Sequence, residues 1–261
     1  MTVVFGAIAP HGDPAFAEGS ATRLGMEELG RRLEQADPDV TVVLTPHNVH
    51  VEGAFVVVES ATVAGTVEVP GEELSLPVDV ELAAATLAAL RAARLPALGV
   101  SFGSNDPALA VMPLDWGAAI PLWFLGGRAA DPRPAVVVSP ARDLPLADHV
   151  RGGEALGAAL DGARAAIVAS ADHGHAHDPD GPFGFHPAAA DYDARVVELV
   201  RDDRLGEVVS LEPIVEDAKA DSLWQLAMLH GALGDAFEVE LLAYERPTYF
   251  GMLCAAYRPR G

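Results

Sequence analysis

Nine histidines are spread unevenly through the 261-residue chain, and seven of them stand in or beside loops that follow apolar runs. His11 and His47 share one setting: each follows a short β-branched run, Val3–Ala9 and Val40–Leu44, and each comes directly after a proline. The proline fixes the backbone before it and leaves the imidazole at the rim of a strand, a placement that suits a metal ligand. The densest group is Ser170-Ala171-Asp172-His173-Gly174-His175-Ala176-His177-Asp178. On an extended backbone side chains repeat with period two, so His173, His175 and His177 would share one face. Three imidazoles there could bind a metal, or one could act as general acid/base with Asp172 orienting its ring. Taken singly, His149, His186 and His230 read as surface or structurally bonded side chains, His230 because it keeps helical register inside an apolar stretch.

The elements that must position these residues alternate in type. Strands are predicted at Val3–Ala9, Val40–Leu44, 97–102, 121–125, Ala135–Ser139 and Ala165–Ser170, each a short apolar run. Helical periodicity marks 20–35, 80–93, 152–162, 188–203 and 221–233. Segments 55–59 and 66–69 flank Ala64-Gly65 as a hairpin, and 238–244 and 249–257 close the chain as paired strands. This order predicts an α/β fold, a single domain over 1–261 with a central mixed sheet flanked by helices. In such sheets ligands collect beyond the carboxyl ends of the strands, where residues distant in sequence meet.

Composition narrows the function classes. Against 38 acidic residues stand 17 basic ones, Arg apart from the single Lys219, and the formal charge is −21. That charge, with no basic patch, excludes nucleic acid and anionic membrane surfaces as partners. The lone Cys254 excludes an intramolecular disulfide framework and CxxC-type metal sites, and its apolar setting reads as a small buried hydrophobe. Residues 1–10 lack a basic region and a cleavage signature, so they read as a strand and not as a signal peptide. No apolar run approaches the ~18–20 residues of a membrane span, and the cytoplasm is the expected compartment.

Four segments, Ala9-Pro10-His11-Gly12, Thr45-Pro46-His47, Met112-Pro113-Leu114-Asp115-Trp116-Gly117 with Ile120-Pro121-Leu122, and Ser170-Ala171-Asp172-His173-Gly174-His175, resemble the class III extradiol ring-cleavage dioxygenases. The likeness is to the catalytic subunit typified by protocatechuate 4,5-dioxygenase, and Leu229-His230-Gly231-Ala232-Leu233 and Tyr249-Phe250-Gly251-Met252-Leu253 extend it over nearly the whole chain. The resemblance implies a mononuclear non-haem Fe(II) held by two histidines and a carboxylate, with positions left for a catecholate and O2. It makes His11 and His47 ligands and His175 the acid/base that deprotonates the catechol and later assists O–O cleavage. It also implies a small aromatic substrate and a homo-oligomer, with the need for a small second subunit left open.

Two positions depart from the family pattern. Where the family has a Glu, before the helix leading to Gly-Ala-Leu, this chain has Asp217-Ala218-Lys219-Ala220-Asp221-Ser222-Leu223-Trp224. Asp221 is the expected third ligand as a shorter carboxylate, with Glu216, Asp217 and Glu52 as alternatives, although an Asp before Ser-Leu-Trp is also a good helix N-cap. Trp116 stands where many members have a substrate-contacting His and would supply an apolar wall. Asn105 and loop 181–187, with His186, are expected to read the ring substituents, while Arg128, Arg142 and Arg195 are unranked partners for a substrate carboxylate. Two rival readings remain. One is a zinc-dependent hydrolase using His173, His175 and His177, a box whose last two positions, His177-Asp178, are inverted. The other is a non-catalytic, Memo-like or partner-subunit member of the same fold.

Overall fold

A computed structural model describes residues 3–261, so Met1 and Thr2 of the predicted opening segment lie outside the described residues. The first half of the chain forms β1 (Val3–Ala9), α1 (Ala21–Ala36), β2 (Val40–Leu44), β3 (Phe55–Val58), β4 (Thr62–Val67), β5 (Glu72–Pro77), α2 (Val80–Ala92), β6 (Ala97–Val100), β7 (Val111–Pro113) and α3 (Trp116–Leu122). There follow β8 (Ala135–Ser139), α4 (Leu146–Ala159), β9 (Ala165–Ser170), α5 (Ala188–Arg201), α6 (Glu212–Ala218), α7 (Leu223–Leu233), β10 (Phe237–Glu245) and β11 (Met252–Pro259).

Eight strands make one mixed sheet in the order β10-β11-β1-β9-β2-β8-β3-β6. Its centre, β1, β9, β2 and β8, is parallel, and β11 and β3 join antiparallel on either side. Strands covered on both faces must be apolar throughout, and β2, β8 and β9 are buried at every position. Register fixes the rim: Ala9 of β1 lies opposite Ser170 of β9, and Leu44 of β2 opposite Ala169. His11 and His47 therefore leave the sheet on either side of the strand that leads into Asp172 and His175.

Helix ends follow local chemistry. Ser20 Oγ accepts from Arg23 N at 3.0 Å to start α1, and Asp79 Oδ1 accepts from Leu82 N at 3.0 Å to start α2. The apolar α7 lies against α4 and the strands. It approaches α4 closely through glycines: a Cβ at Gly231 would meet the Val150 carbonyl oxygen at 2.0 Å, and one at Gly153 the Met228 carbonyl oxygen at 2.0 Å. The glycine of Leu229-His230-Gly231-Ala232-Leu233 is thus a helix-crossing residue, and the crossing sets where the entry to α7 meets the sheet.

Three predicted elements differ. The hairpin is β4–β5, turning at Gly71 with φ +88°, while β3 belongs to the large sheet. Ala64-Gly65 lies inside β4, where Gly65 permits the Leu114 backbone to approach. This hairpin with β7 forms a second, three-stranded sheet that sequence patterning did not separate. Residues 121–125 are not a strand: Asp115 Oδ1 accepts from Ala118 N at 3.0 Å and starts α3, which carries Pro121 inside it and runs into an irregular turn at Trp123–Gly127. Helix α4 begins at Leu146, ahead of the predicted 152, because Pro145 stands at its N-cap. No helix among the described residues is long and apolar enough to cross a membrane.

Candidate metal centre and its cavity

His11 is buried, at 2% exposure, two residues past the end of β1. Its backbone N–H donates to Asp172 Oδ1 at 3.2 Å and its Nδ1 lies 2.9 Å from Ser170 Oγ. Its Nε2 faces Asp221 Oδ2 at 3.4 Å. His47 Nε2 lies 3.6 Å from the same oxygen, and the two imidazoles meet edge to face with centroids 5.0 Å apart. The His47 turn is pinned to α3, since Asn48 N donates to Asp115 Oδ2 and Asp115 N donates to Asn48 Oδ1 at 3.3 Å. Gly117 leaves room for the ring, because a Cβ there would come within 2.8 Å of His47 Cδ2.

Asp221 does not cap α7. Ser222 occupies the N-cap position without a side-chain capping bond, and its Oγ instead contacts His173 Nδ1 at 3.0 Å and Tyr192 Oη at 2.9 Å. Asp221 is left to face the histidines, with its Oδ1 buried and unpartnered. Burial by itself would push this carboxyl up. The positive charge of His11 and hydrogen bonds from His11 and His47 outweigh burial and hold it well below the usual carboxylate range. Burial likewise opposes charge on His11, yet Asp172 and Asp221 raise it to about 9. Burial, reinforced by Asp221, pushes Asp172 up. The cluster thus draws in positive charge at the point its carboxylate and imidazoles surround.

One ligand atom from each of His11, His47 and Asp221 lies within 4.8 Å of the other two. Two imidazole nitrogens and one carboxylate oxygen, with an unpartnered carboxylate oxygen beside them, fit a divalent transition metal that keeps open positions. Of the alternative carboxylates, Glu52 and Asp217 are exposed and outside the cavity, and Glu216 lines the cavity from α6 without joining the cluster.

The cluster lies on the wall of a cavity of about 850 Å³. His175 lines the same cavity, stacked on Phe250 at 5.1 Å and 19°, with Phe183 and Tyr249 at centroid distances of 5.6 and 5.9 Å. Trp116 stands at the lip, 57% exposed, with its ring 4.6 Å from that of His47. Thr66 and Val67 of β4 complete part of the wall, so the small sheet serves the site.

Of the remaining expected site residues, Asp172 lines the cavity and the others lie elsewhere. The three imidazoles do not come together: past Ser170 the chain makes isolated bridges at Asp172, to Met252, and at His177, to Phe185, and each ring meets different partners. His173 is fully buried against Ser222, outside the cavity, and burial lowers its pKa. His177 Nε2 bonds Asp193 Oδ2 at 2.9 Å. Among the described residues these three imidazoles form no metal-binding group, which removes the geometric basis of the zinc-hydrolase box. Asp172 accepts from the backbone N–H of His11, and its Oδ2 lies 3.6 Å from His11 Nε2 on the cavity wall. Asn105 is exposed on the loop before β7, and His186 is exposed with its Nδ1 accepting from Ala188 N at 3.3 Å, so neither lines the cavity.

Three positioning features escaped the sequence reading. Asp115 caps α3 and pins the His47 turn. Ser170 and Ser222 carry imidazoles. Asp193 Oδ1 accepts from Gly174 N at 2.7 Å and its Oδ2 from Tyr244 Oη–H at 2.7 Å, anchoring the His175 loop. Arg142, unranked in sequence, reaches the cavity with Nη2 3.9 Å from Asp221 Oδ2 and its guanidinium 5.0 Å from the Trp224 ring centre. Arg128 stacks on Trp123, and Arg195 pairs with Glu198 and Glu207.

Protein CA_C1420 of Clostridium acetobutylicum is 22% identical over 232 residues, which make up 86% of this chain and 49% of that protein. The chain thus spans about half the length of this curated relative. The crystal structure of the uncharacterized protein JW3007 from Escherichia coli K12 aligns with a TM-score of 0.68 at 17% identity, covering 97% of this chain and 99% of that one, which establishes the shared fold. Residues 9–252 match the family described as the catalytic LigB subunit of aromatic ring-opening dioxygenase, and the chain belongs to that family.

Proposed function

We propose that the protein is a non-haem Fe(II)-dependent extradiol dioxygenase that opens a catechol-like or 2-aminophenol-like ring with O2. In this reading His11, His47 and Asp221 hold the iron and His175 is the acid/base. The observation that carries it is the juxtaposition of the His11, His47 and Asp221 cluster with a histidine off the cluster, His175, in one aromatic-walled cavity. When bound, Fe(II) supplies positions for the diol oxygens and O2 and a path for electrons between them.

The chain's own residues do the rest. Trp116, Phe183, Tyr249 and Phe250 offer apolar faces that receive an aromatic ring and exclude water. His175 takes the proton that a diol hydroxyl must lose to chelate, and returns it when the O–O bond breaks. Overall, the carbon–carbon bond beside the diol breaks and both atoms of one O2 enter the product, so no external reductant is needed.

Metal exchange tests the reading. Protein reconstituted with Fe(II) under anaerobic conditions should take up O2 with members of a catechol panel and form yellow product, and the zinc form should not. Zinc-supported ester or amide hydrolysis without oxygen uptake would instead favour a hydrolase, and metal binding without any turnover a non-catalytic member of the fold.

A further inference from the structure

Helix α3 contains a proline whose place bears on the metal ligand. An internal helical residue normally donates its N–H to the carbonyl four residues back, and Pro121 has no N–H, so the Gly117 carbonyl is left without that donor. The hydroxyl of Ser170, the last residue of β9, donates to this carbonyl. The same oxygen lies 2.9 Å from His11 Nδ1. A serine hydroxyl has one proton, and a carbonyl can only accept. With that proton committed to Gly117, Ser170 Oγ can only accept from His11, so His11 carries its proton on Nδ1. Nε2 is then the nitrogen that faces Asp221 and His47 and gives up its proton to a bound metal, while Nδ1 keeps its own. Ser170 is fully buried, which favours a fixed hydrogen-bond pattern over exchange with solvent.

We infer that Pro121, through the Gly117 carbonyl and the Ser170 hydroxyl, sets the tautomer of His11 that presents Nε2 to the metal. Pro121 and Ser170 are positioning residues, and the inference rests on reading His11 as a metal ligand. The same turn of α3 also seats the other histidine, since Gly117 leaves space for the His47 ring. One turn of helix thereby governs both imidazoles, one through a hydrogen-bond relay and one by contact.

The test uses the whole chain with zinc as a diamagnetic probe. In zinc-loaded protein labelled with 15N-histidine, long-range 1H–15N correlation should place the His11 proton on Nδ1. A proton on Nε2, or zinc held through Nδ1, overturns the inference without any variant. In zinc titrations Ser170→Ala should weaken binding about 10-fold or more, the range typical of lost outer hydrogen bonds. Pro121→Ala gives the sharper outcome. The restored N–H competes for the Gly117 carbonyl and frees Ser170 to donate to His11 Nδ1, so zinc affinity should fall although thermal stability holds or rises. A merely structural proline would show the same stability change with affinity intact, and that result, with Nδ1–H retained, refutes the relay. His11→Ala separates the two levels: zinc affinity unchanged in that variant overturns the ligand assignment itself, whereas loss there with no change in Ser170→Ala and Pro121→Ala overturns only the relay.

Discussion

Asp221 Oδ2 stands 3.4 Å from Nε2 of His11, and the two residues reach this point from opposite ends of the chain. His11 arrives on the rim of β1, and Asp221 on the turn from α6 into α7. The close crossing of α7 with α4, at Gly231 and Gly153, fixes that turn. Asp221→Ala should abolish tight metal binding, read as bound metal per chain after dialysis against a weak chelator. Asp221→Asn should also weaken binding strongly, since an amide oxygen lacks the charge that favours a divalent cation. Full metal retention in both would place the third ligand elsewhere, with Asp172, whose Oδ2 lies 3.6 Å from His11 Nε2, and Glu216 as alternatives on the cavity wall.

His175 should separate binding from turnover. Outside the ligand cluster and stacked on Phe250, it can be changed without removing a donor from the metal. His175→Gln should keep the wild-type metal content while turnover falls by about 10²- to 10⁴-fold, the usual contribution of a positioned acid/base. Equal loss of metal and turnover would make it a ligand or a structural residue.

Asp193 holds the His175 loop from behind. Its carboxylate accepts from Gly174 N, Tyr244 Oη–H and His177 Nε2–H, and Arg246 approaches His177 Nδ1 at 3.3 Å, a contact consistent with that tautomer. Gly251 is required beside it, because a Cβ there would come within 2.0 Å of Asp193 Oδ2. Asp193→Ala leaves two buried donors and the half-buried Tyr244 hydroxyl unpaired and should destabilise the fold by about 3 kcal/mol, measured by urea unfolding. Gly251→Ala should destabilise it in the same direction. A change within about 0.5 kcal/mol for Asp193→Ala, the range of ordinary surface substitutions, would contradict this network.

Acid should weaken the fold through His149. Burial lowers its pKa from 6.5, its Nδ1–H donates to the Pro145 carbonyl at 3.1 Å, and its Nε2 is buried without a partner. Below pH 6.5 the unfolded chain takes up a proton at this position and the folded chain does not. Stability is therefore independent of this group above that pH and falls as the pH drops through it toward the folded-state value, by at most about 1.4 kcal/mol per pH unit. In His149→Gln the pH dependence of the urea midpoint between pH 6.5 and 5 should be shallower than in wild type. Parallel profiles would show that His149 titrates normally in the folded state.

His11 and His47 were legible because buried parallel strands need unbroken apolar runs, and a proline ends each run next to a histidine. Asp221 was legible only by its spacing from Gly231, since its N-cap alternative could be dismissed only once Ser222 was seen at the cap. Period-two reasoning failed at His173 and His177 because β9 ends at Ser170, and bonds to Ser222 and Asp193 from distant segments hold these two rings. Residues 121–125 misled for a related reason: a short apolar run fits a strand as well as a buried helix, and the deciding signal was the Asp115 cap. Arg142 and Asp193 carried no local signal, because their roles depend on contacts between distant segments.

The most direct measurement of the central claim is single-turnover reaction of Fe(II)-loaded protein with a reactive catechol under 18O2. Both labelled atoms should appear in the ring-opened product, with one O2 consumed per ring. Catechol oxidised without ring opening, or no oxygen uptake across the panel by protein with a full complement of Fe(II), would contradict the account.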